Sequence, residues 1–400
     1  MFANTAKNGM VFYDAILENL REAQERAAQI GADKVINGTV GSLTDGKQLV
    51  TFPSVDNLIP TLDIKKVSAY TPMQGLPPYR EAMERLCFES YAPQKPFGSV
   101  AVNGGLGGIH HALVNYTEPG DDVVTSDWHW GAYTGIVKEA GRKLVKFRYF
   151  QGGEFDLESF SQTVRNAARK QSTVFLLLNT PANNPSGFSV PIAQWDAIIA
   201  FLNSLDRKVI LFLDMAYLDM APKENKTVFR KIDALDDHVL TIINYTISKT
   251  LAKYGLRCGT LTAIHRDEAV IQEMVNIIAI SNRGIHGCVP SLGQYLTSAL
   301  LADPDALASY YTDLEFWKNV LKKRSETFLS LINPDIVTPY DCGYFVSVKT
   351  DQPDAMLSRL KERNIFLVPQ QQGIRVGICS VPEEKLPTLA AALNEEVDKS

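Results

Sequence analysis

The sequence lacks the features that would point to a membrane, a nucleic acid or a bound metal. No run of 18 apolar residues occurs along the 400 positions, so no segment predicts a transmembrane helix. No Lys/Arg-rich run appears and the formal net charge is −5, which argues against nucleic acid or a membrane surface as partner. The six histidines include no HExxH or comparable ligand spacing, so no metal site is predicted.

Cysteine is also scarce, and its spacing excludes two further classes of protein. The five cysteines are odd in number and form no CxxC pair; they are Cys87, Cys258, Cys288, Cys342 and Cys379. This pattern predicts buried free thiols in a reducing compartment rather than disulfides or zinc ligands. The first 31 residues have the pattern of an amphipathic helix with acidic residues, not that of a signal peptide. The sequence therefore predicts a cytoplasmic location.

The chain is long and has the composition of a globular protein. Its 400 residues exceed one ordinary domain, and 45% apolar with 21% charged residues argues against disorder. Between about 46 and 295, short apolar runs such as "TVFLLLN" and "VILFLD" alternate with helical patterns. Strands that are apolar on both faces and separated by helices predict a mostly parallel sheet covered on both sides.

The pattern changes after about residue 295 and predicts a second, smaller unit. A long helical pattern precedes the strands "YFVSVKT" and "GIRVGI", which flank another helix. We therefore predict an α/β fold with a large domain over 46–295 and a smaller α+β domain over 296–400. Residues 1–45 form an N-terminal arm that completes the smaller domain. In such a sheet, chemistry gathers in the loops at the carboxyl ends of the strands.

The first two of these loops favour a phosphate and a flat ring. "GGLGG" at 104–108 leads into a helix, where backbone N–H groups and the helix dipole favour an anion, although a plain turn is an equal alternative. The dinucleotide fingerprint GxGxxG fails because its third glycine is missing. In "WHWGAY", Trp128 and Trp130 would share one side of an extended segment, either as core residues or as a stacking platform.

The next three loops supply an amide, a carboxylate and a lysine. "TPANNPSG" presents asparagines on a rigid turn. "DMAY" places Asp214 after a buried strand, where a carboxylate needs a cationic partner or serves as a helix N-cap, and Tyr217 could be core. "YTISKTLAKYGLRCG" holds Lys249 and Arg257 eight residues apart. One ligand with a phosphate, a flat ring, a ring cation and an aldehyde would explain all five loops, and pyridoxal 5′-phosphate has these groups.

These motifs together resemble those of the class I aminotransferases of pyridoxal-phosphate fold type I, nearest to the aspartate and aromatic aminotransferases. The resemblance runs from about residue 36 to 380. It rests on "NNPSG", "DMAY", "SK" with Arg257 eight residues after its lysine, and "GIRVG", in that order. It implies a large domain with a seven-stranded, mostly parallel sheet, and an enzyme that moves an amino group from an L-amino acid to a 2-oxo acid such as 2-oxoglutarate.

The resemblance also implies a role for each matching residue. Lys249 corresponds to the lysine that bonds to the cofactor aldehyde and acts as the catalytic base, and Asp214 to the partner of the ring nitrogen. Tyr217 and Asn184 correspond to donors to the ring oxygen, and Trp130 to the stacking ring. Arg375 corresponds to the arginine that binds the substrate carboxylate. The implied phosphate site consists of Thr246, Ser248, Arg257 and the backbone of Gly104, Gly105 and Leu106.

Two further residues are implied to act from a second copy of the chain, which implies a homodimer with sites at the subunit interface. Tyr70 in "SAYTPMQGLPPY" matches a tyrosine sent to the partner's phosphate site, and Arg283 in "SNRGIHGCVPSLG" matches an arginine for a side-chain carboxylate. A solvated arginine is the alternative for Arg283. The loop "NGTVGSLTDGK" makes Gly38 a candidate substrate contact.

Two departures from the family pattern and three alternative functions accompany this interpretation. Leu106 replaces a hydroxyl residue of the phosphate loop, and Tyr133 stands where a histidine often lies behind the aspartate. A lyase or decarboxylase would use Arg375 equally well, whereas Arg283 favours a transferase that handles dicarboxylates. An aromatic-specific aminotransferase also stays open. A non-catalytic ligand-binding module is disfavoured because the lysine, aspartate and arginines are all present.

Overall fold

The computed structural model describes residues 13–397 of the chain. The first helix begins at Ala15, where the carboxylate of Asp14 caps two backbone N–H groups of the first turn, and it ends at Ile30. The helix predicted for the N-terminal segment is thus present, and the part of that prediction on residues 1–12 lies outside the described residues.

The strands lie in three multi-stranded or paired sheets and one hairpin. Their bounds are β1 Ile36–Asn37, β2 Phe97–Val102, β3 Asp122–Ser126, β4 Lys143–Phe147, β5 Phe150–Gln151, β6 Glu154–Phe155, β7 Thr173–Asn179, β8 Lys208–Asp214, β9 Val239–Thr246, β10 Gly259–Ile264, β11 Val346–Lys349, β12 Ile365–Phe366, β13 Val368–Gln370 and β14 Gly373–Val376.

The α-helices connect and cover these strands. Their bounds are α1 Ala15–Ile30, α2 Pro53–Asp56, α3 Ile64–Val67, α4 Pro77–Phe88, α5 Gly104–Tyr116, α6 Ala132–Glu139, α7 Leu157–Ala168, α8 Trp195–Asn203, α9 Val228–Lys231, α10 Ile247–Thr250, α11 Glu268–Ile285, α12 Ser291–Ala302, α13 Pro304–Leu331, α14 Pro353–Glu362 and α15 Leu386–Val397.

The large sheet has seven strands in the order β2-β10-β9-β8-β7-β3-β4. Strand β10 runs antiparallel to both of its neighbours, and the pairs β9-β8, β8-β7, β7-β3 and β3-β4 are parallel. The apolar runs of the sequence form these strands, and both faces are buried as predicted. The α/β fold class and the mostly parallel sheet are confirmed.

Side chains alternate between two cores, one on each face of the large sheet. Along β7, Val174 and Leu176 lie in the core that holds α4, α7 and α8, whereas Phe175 and Leu177 lie in the core that holds α5, α6 and α11. This is the period-2 alternation of a strand buried on both faces. The sheet is therefore fixed between two helical layers, and only its edges can open to a ligand.

A second, smaller sheet lies in the C-terminal part of the chain. It has the order β11-β14-β13 with antiparallel neighbours. The N-terminal segment joins this region, because β1 pairs in parallel with β12 and the Arg26 side chain donates to Asn364 at 2.7 Å. The smaller α+β unit completed by the N-terminal helix is thus present, while the residue bounds proposed for the domains stay a prediction.

The parallel strands end at one edge of the large sheet and place polar residues side by side there. Asn179 at the end of β7 is in register with Asp214 at the end of β8, which is in turn in register with Asn244 in β9. Strand β9 then ends at Thr246 and leads directly into α10. This edge holds the loops predicted to carry chemistry.

Candidate active site

A cavity of about 540 Å³ opens at the carboxyl edge of the large sheet, between that sheet and the β14 region. Most of the predicted site residues line it. The lining comprises Ile16, Leu17, Gly41, Ser42, Gly105, Leu106, Ile109, Trp130, Asn179, Asn184, Asp214, Ala216, Tyr217, Thr246, Ser248, Lys249, Tyr254, Arg257 and Arg375.

Asp214 is a buried carboxylate held by two neighbouring side chains. The Tyr133 hydroxyl donates to Oδ2 at 2.5 Å, and the Asn244 amide donates to Oδ1 at 3.1 Å. Burial raises the pKa of Asp214 to about 6, against the lowering effect of these hydrogen bonds. A cation placed beside this carboxylate would restore its ionised form, which is the property expected of a partner for a ring cation.

Lys249 lies in the short helix α10, whose N-cap is Thr246. Its ammonium group donates to the Gly41 carbonyl at 2.7 Å and lies 4.5 Å from the centre of the Tyr254 ring. Burial lowers the pKa of Lys249 to about 8. A lysine in this state has a substantial neutral fraction near physiological pH, so it can act as a nucleophile or base.

The N-terminus of α5 and the segment around α10 form a cradle suited to an anion. Helix α5 begins at Gly104, where φ is +68° and a Cβ would collide with the Arg257 guanidinium. That guanidinium lies 3.4 Å from the Ser248 hydroxyl, which in turn bonds to the Thr246 hydroxyl at 3.0 Å. The N-terminus of α5, two hydroxyls and a guanidinium therefore lie close together at the cavity, an arrangement that suits a phosphate group.

Arg375 in β14 is buried on the other side of the cavity. It donates to the Asn184 amide oxygen at 3.2 Å and to the Thr39 carbonyl at 2.6 Å, and it lies 4.3 Å from the centre of the Phe345 ring. Its Nε has no hydrogen-bond partner among the described residues. The Asn184 amide also lies 3.4 Å from the Tyr217 hydroxyl. A buried guanidinium without a carboxylate partner is prepared for an anionic ligand.

These groups fit pyridoxal phosphate as a set. The cradle of α5 and Arg257 suits its phosphate, Asp214 suits a protonated ring nitrogen, and Lys249 suits its aldehyde. Trp130 lines the same cavity and offers a flat face to a ring. Arg375 lines the same cavity and offers a guanidinium to the carboxylate of a second molecule.

Gly38 is not among the residues that line the cavity. Its backbone pairs with Phe366 and Gly377, and Gly41 and Ser42 are the residues of that loop at the cavity. The contact of Gly38 with a substrate stays a prediction.

The two tryptophans also do not share one side. The chain bends after β3, so Trp128 packs in the core near Phe150 while Trp130 lines the cavity. Trp130 is the tryptophan that the family resemblance implies as the stacking residue, and it is the one that lines the cavity.

A single chain does not bring Tyr70 or Arg283 to its own cavity. The Tyr70 side chain is 92% exposed, and Arg283 is exposed near the end of α11. Both were expected to act on a second copy, so their role stays a prediction.

Several cavity residues were missed by the sequence reasoning. Ile16 and Leu17 come from α1, where only an amphipathic helix could be predicted. Asn179 lines the cavity from the end of the otherwise apolar strand β7, and Asn244 supports Asp214 from within β9; a polar residue in an apolar run is the signal for both. Tyr254 stands in the same stretch as Lys249 and had no distinguishing pattern.

The sequence predicts neither a metal site nor a membrane-spanning helix, and the structure can be compared with these two predictions over residues 13–397. Residues 13–397 contain no group of three or more His, Cys, Asp or Glu side chains arranged for a metal, and none of their helices is long and apolar enough to cross a bilayer. The five cysteines are unpaired there. Three are buried as predicted, but Cys288 and Cys342 are only partly buried.

Comparison with known proteins gives a consistent match. The sequence model for the family "aminotransferase class I and II" matches residues 33–393. The aromatic-amino-acid aminotransferase of Paracoccus denitrificans is 23% identical over 84% of this chain and 85% of its own length. The mitochondrial aspartate aminotransferase of Gallus gallus is 23% identical over 82% of this chain and 78% of its own length.

Solved structures agree over almost the whole chain. An aminotransferase from Anaerococcus prevotii superposes with a TM-score of 0.95 at 27% identity and covers 99% of both chains. An aromatic-amino-acid aminotransferase from Burkholderia pseudomallei, covalently bound to pyridoxal phosphate, gives a TM-score of 0.82 at 18% identity over 99% of this chain and 100% of its own. With the family model spanning most of the sequence, the chain belongs to the aminotransferase class I and II family of pyridoxal-phosphate enzymes.

Proposed function

We propose that this enzyme transfers the amino group of an L-amino acid, aspartate or an aromatic one, to a 2-oxo acid such as 2-oxoglutarate in a ping-pong reaction. The observation that carries the proposal is the convergence of Lys249, Asp214 and Arg375 on one cavity. A base, a partner for a ring cation and a carboxylate receptor are the three functions that transamination of an amino acid needs. Relatives named aromatic and aspartate aminotransferases support the substrate class.

Pyridoxal phosphate, when bound, supplies an aldehyde that bonds to amines and a ring that withdraws electrons from the substrate Cα. Arg257, Thr246, Ser248 and the backbone N–H groups of Gly104, Gly105 and Leu106 would hold its phosphate. Asp214 would bind the ring nitrogen, Tyr217 and Asn184 the ring oxygen, and Trp130 the ring face.

Lys249 is the residue that moves the proton at the substrate Cα. With a pKa of about 8, roughly one Lys249 in ten is neutral at pH 7, whereas an ordinary lysine is almost wholly charged. The Gly41 carbonyl and the Tyr254 ring orient its amino group without neutralising it. The same group can therefore take the proton from Cα and return one later.

Arg375 binds and orients the substrate carboxylate. Its guanidinium is fixed by the Asn184 amide oxygen and the Thr39 carbonyl, neither of which is an anion. Burial lowers its pKa from the usual value, yet a guanidinium stays charged at neutral pH. A planar fork of donors binds a carboxylate through two parallel hydrogen bonds, which places Cα at a defined point near Lys249.

A second copy of the chain is expected to complete the site. The segment that carries Tyr70 is tied to the segments on both sides of Arg283, because the Asn282 amide donates to the Met73 carbonyl and the Thr71 hydroxyl to the Val289 carbonyl. Large exposed apolar residues lie on these adjoining segments: Ile64 is 71% exposed, Ile280 70% and Ile285 54%. An apolar, tyrosine-bearing surface of this kind fits a self-complementary dimer interface.

The test is a product assay with the purified enzyme and pyridoxal phosphate. Aspartate, phenylalanine or tyrosine is supplied with and without 2-oxoglutarate, and all products are followed by NMR. With the acceptor we expect an oxo acid and glutamate in equal amounts over many turnovers, and neither product with Lys249→Ala. Without the acceptor, at most one oxo acid per active site should form, because the amino group then stays on the enzyme. Oxo acid formed beyond one per site without the acceptor would identify a lyase, and release of carbon dioxide a decarboxylase; either result would overturn the proposal.

A further inference from the structure

Asp219 is a buried carboxylate close to the site but outside the cavity. It lies in a short 3₁₀ helix, Leu218–Met220, two residues after Tyr217 and five after Asp214. Its Oδ2 accepts hydrogen bonds from the Tyr245 hydroxyl at 2.6 Å and from the Thr250 hydroxyl at 2.7 Å. One carboxylate oxygen thus joins the loop after β8 to the strand and the turn on either side of Lys249.

Thr250, the residue directly after Lys249, is held on two sides. Its hydroxyl donates to Asp219, and its carbonyl accepts a hydrogen bond from the Tyr310 hydroxyl at 3.1 Å. The turn then closes tightly, because Ala252 has a φ of +52°. The backbone next to Lys249 is therefore fixed by side chains from two other elements rather than by the four-residue helix α10 alone.

The other oxygen of Asp219 faces a buried lysine. The Lys226 ammonium lies 3.3 Å from Oδ1 and donates to Glu89 at 2.7 Å and to the Leu86 carbonyl at 2.9 Å. Burial alone would lower the pKa of Lys226, but the charges of Asp219 and Glu89 raise it overall. A buried ion pair contributes little net stability, but these contacts hold Asp219 in one orientation.

We propose that Asp219 is a positioning residue, which acts through Thr250 to fix Lys249 relative to the loop that bears Asp214 and Tyr217. This inference rests on the proposed role of Lys249 in proton transfer. When a catalytic group is displaced by about 1 Å, the rate of the reaction can fall on the order of a hundredfold. A shift of the backbone at Lys249 moves its flexible side chain with it.

The test compares variants that remove one hydrogen bond at a time. Thr250→Val removes the hydroxyl next to Lys249 while keeping the shape of the side chain, and Thr250→Ser keeps the hydroxyl. Tyr245→Phe removes the other hydrogen bond to the same Asp219 oxygen, but on the strand side. The three variants separate loss of position at Lys249 from loss of stability in general.

Three readouts are taken from the full-length protein. The first is kcat and KM of the holoenzyme. The second is the melting temperature. The third is the pH dependence of Lys249 acylation by acetic anhydride in cofactor-depleted protein, with the Lys249 peptide quantified by mass spectrometry. The third readout needs no turnover, so it tests the positioning even if the substrate assignment fails.

We expect Thr250→Val to lower kcat about tenfold or more with KM little changed, and to move the acylation midpoint of Lys249 upward from about 8, since a loosened turn admits water. Thr250→Ser should restore both values. Tyr245→Phe should lower the melting temperature about as much as Thr250→Val does, without moving the midpoint of Lys249 acylation. Equal losses of kcat in Thr250→Val and Tyr245→Phe, or an unchanged midpoint in Thr250→Val, would overturn the proposal.

Discussion

The Tyr133 hydroxyl donates a 2.5 Å hydrogen bond to the Asp214 carboxylate, and both residues are buried. Burial first and the charge of Asp214 second raise the pKa of Tyr133 well above its usual value. Tyr133 therefore stays protonated and acts only as a donor. Burial raises the pKa of Asp214, and the hydrogen bond from Tyr133 lowers it. Without Tyr133, the Asp214 carboxyl would stay neutral up to a higher pH.

Replacing Tyr133 by phenylalanine should weaken the binding of pyridoxal phosphate. A hydrogen bond to a buried charge contributes about 1.5–3 kcal/mol, so we expect the dissociation constant to rise about tenfold or more, and more strongly at pH 6 than at pH 8. Equilibrium dialysis across this pH range measures it. Tyr116→Phe is the control, because its buried hydroxyl has no partner among the described residues. Equal affinities for the two variants would refute this role of Tyr133.

The fold could be predicted from the sequence because its signal is local and periodic. Runs such as "TVFLLLN" are apolar at every position, and β7 alternates between two cores as such a run requires. The antiparallel direction of β10 is an exception to the parallel pattern. The connection from Thr246 to Gly259 contains the short α10 and no crossover helix of the kind that returns the chain for a parallel pairing.

The site could be predicted only as far as each residue follows its own strand. Asp214, Thr246 and Lys249 come at strand ends, so their meeting at one edge follows from the topology. Gly41 and Leu17 reach the cavity from segments far away in sequence, and no local pattern marks them. No local pattern marks Asp219 either, because its partners Tyr245 and Thr250 lie about thirty residues further along the chain.

The lowered pKa of Lys249 should destabilise the cofactor-free protein at neutral pH by an amount that falls toward zero at high pH. Unfolding returns this lysine to a pKa near 10.5, so the unfolded state binds more protons at this site between about pH 8 and 10.5. The contribution of Lys249 to the free energy of unfolding therefore rises through that window. Lys249→Met should be more stable than the wild type by about 1–3 kcal/mol at pH 7, and the difference should shrink by pH 10.

Urea denaturation of the two cofactor-free proteins at pH 7 and pH 10 measures that difference. Lys253→Met serves as the control, because Lys253 is paired with Asp56 and its removal breaks an ion pair. That variant should not gain stability at pH 7. A Lys249→Met protein with the same advantage at both pH values would show that better packing, not the charge, is the cause.

Arg375→Lys should impair binding of the amino acid more than the later steps. A lysine ammonium cannot reproduce two parallel hydrogen bonds to a carboxylate, and it loses the contact with the Phe345 ring. We expect KM to rise on the order of a hundredfold with a smaller change in kcat. Steady-state kinetics measure both values. Arg324→Lys is the control: Arg324 is also buried but binds backbone carbonyls, so that variant should lose stability and keep its KM.

His111 should make the protein sensitive to acid. Its ring is buried against His110 and His286, and an interaction with the Asn282 side chain only partly offsets the effect of that burial. Burial lowers its pKa to about 4. The unfolded state therefore binds a proton near pH 6.5 that the native state does not, and the free energy of unfolding falls as the pH drops from about 6.5 to 4.

His111→Met should remove about 2–3 kcal/mol of that loss, seen as a smaller difference in unfolding free energy between pH 7 and pH 4.5. His110→Gln, at a partly exposed neighbour, should retain most of it. If the wild type and His111→Met lose stability in parallel, the acid sensitivity comes from other groups.

The cross-subunit role of Arg283 can be tested by mixing two inactive proteins. Lys249→Ala lacks the base in its own cavity, and Arg283→Ala lacks the arginine that it would supply to the other cavity. In a hybrid dimer, the subunit with an intact Lys249 would receive Arg283 from its partner and form one complete site. Random exchange makes half of the dimers hybrids, so a 1:1 mixture should regain about one quarter of wild-type activity toward aspartate.

If Arg283 instead acted within its own chain, the intact lysine and the intact arginine would never share a cavity. The mixture would then stay as inactive as its components.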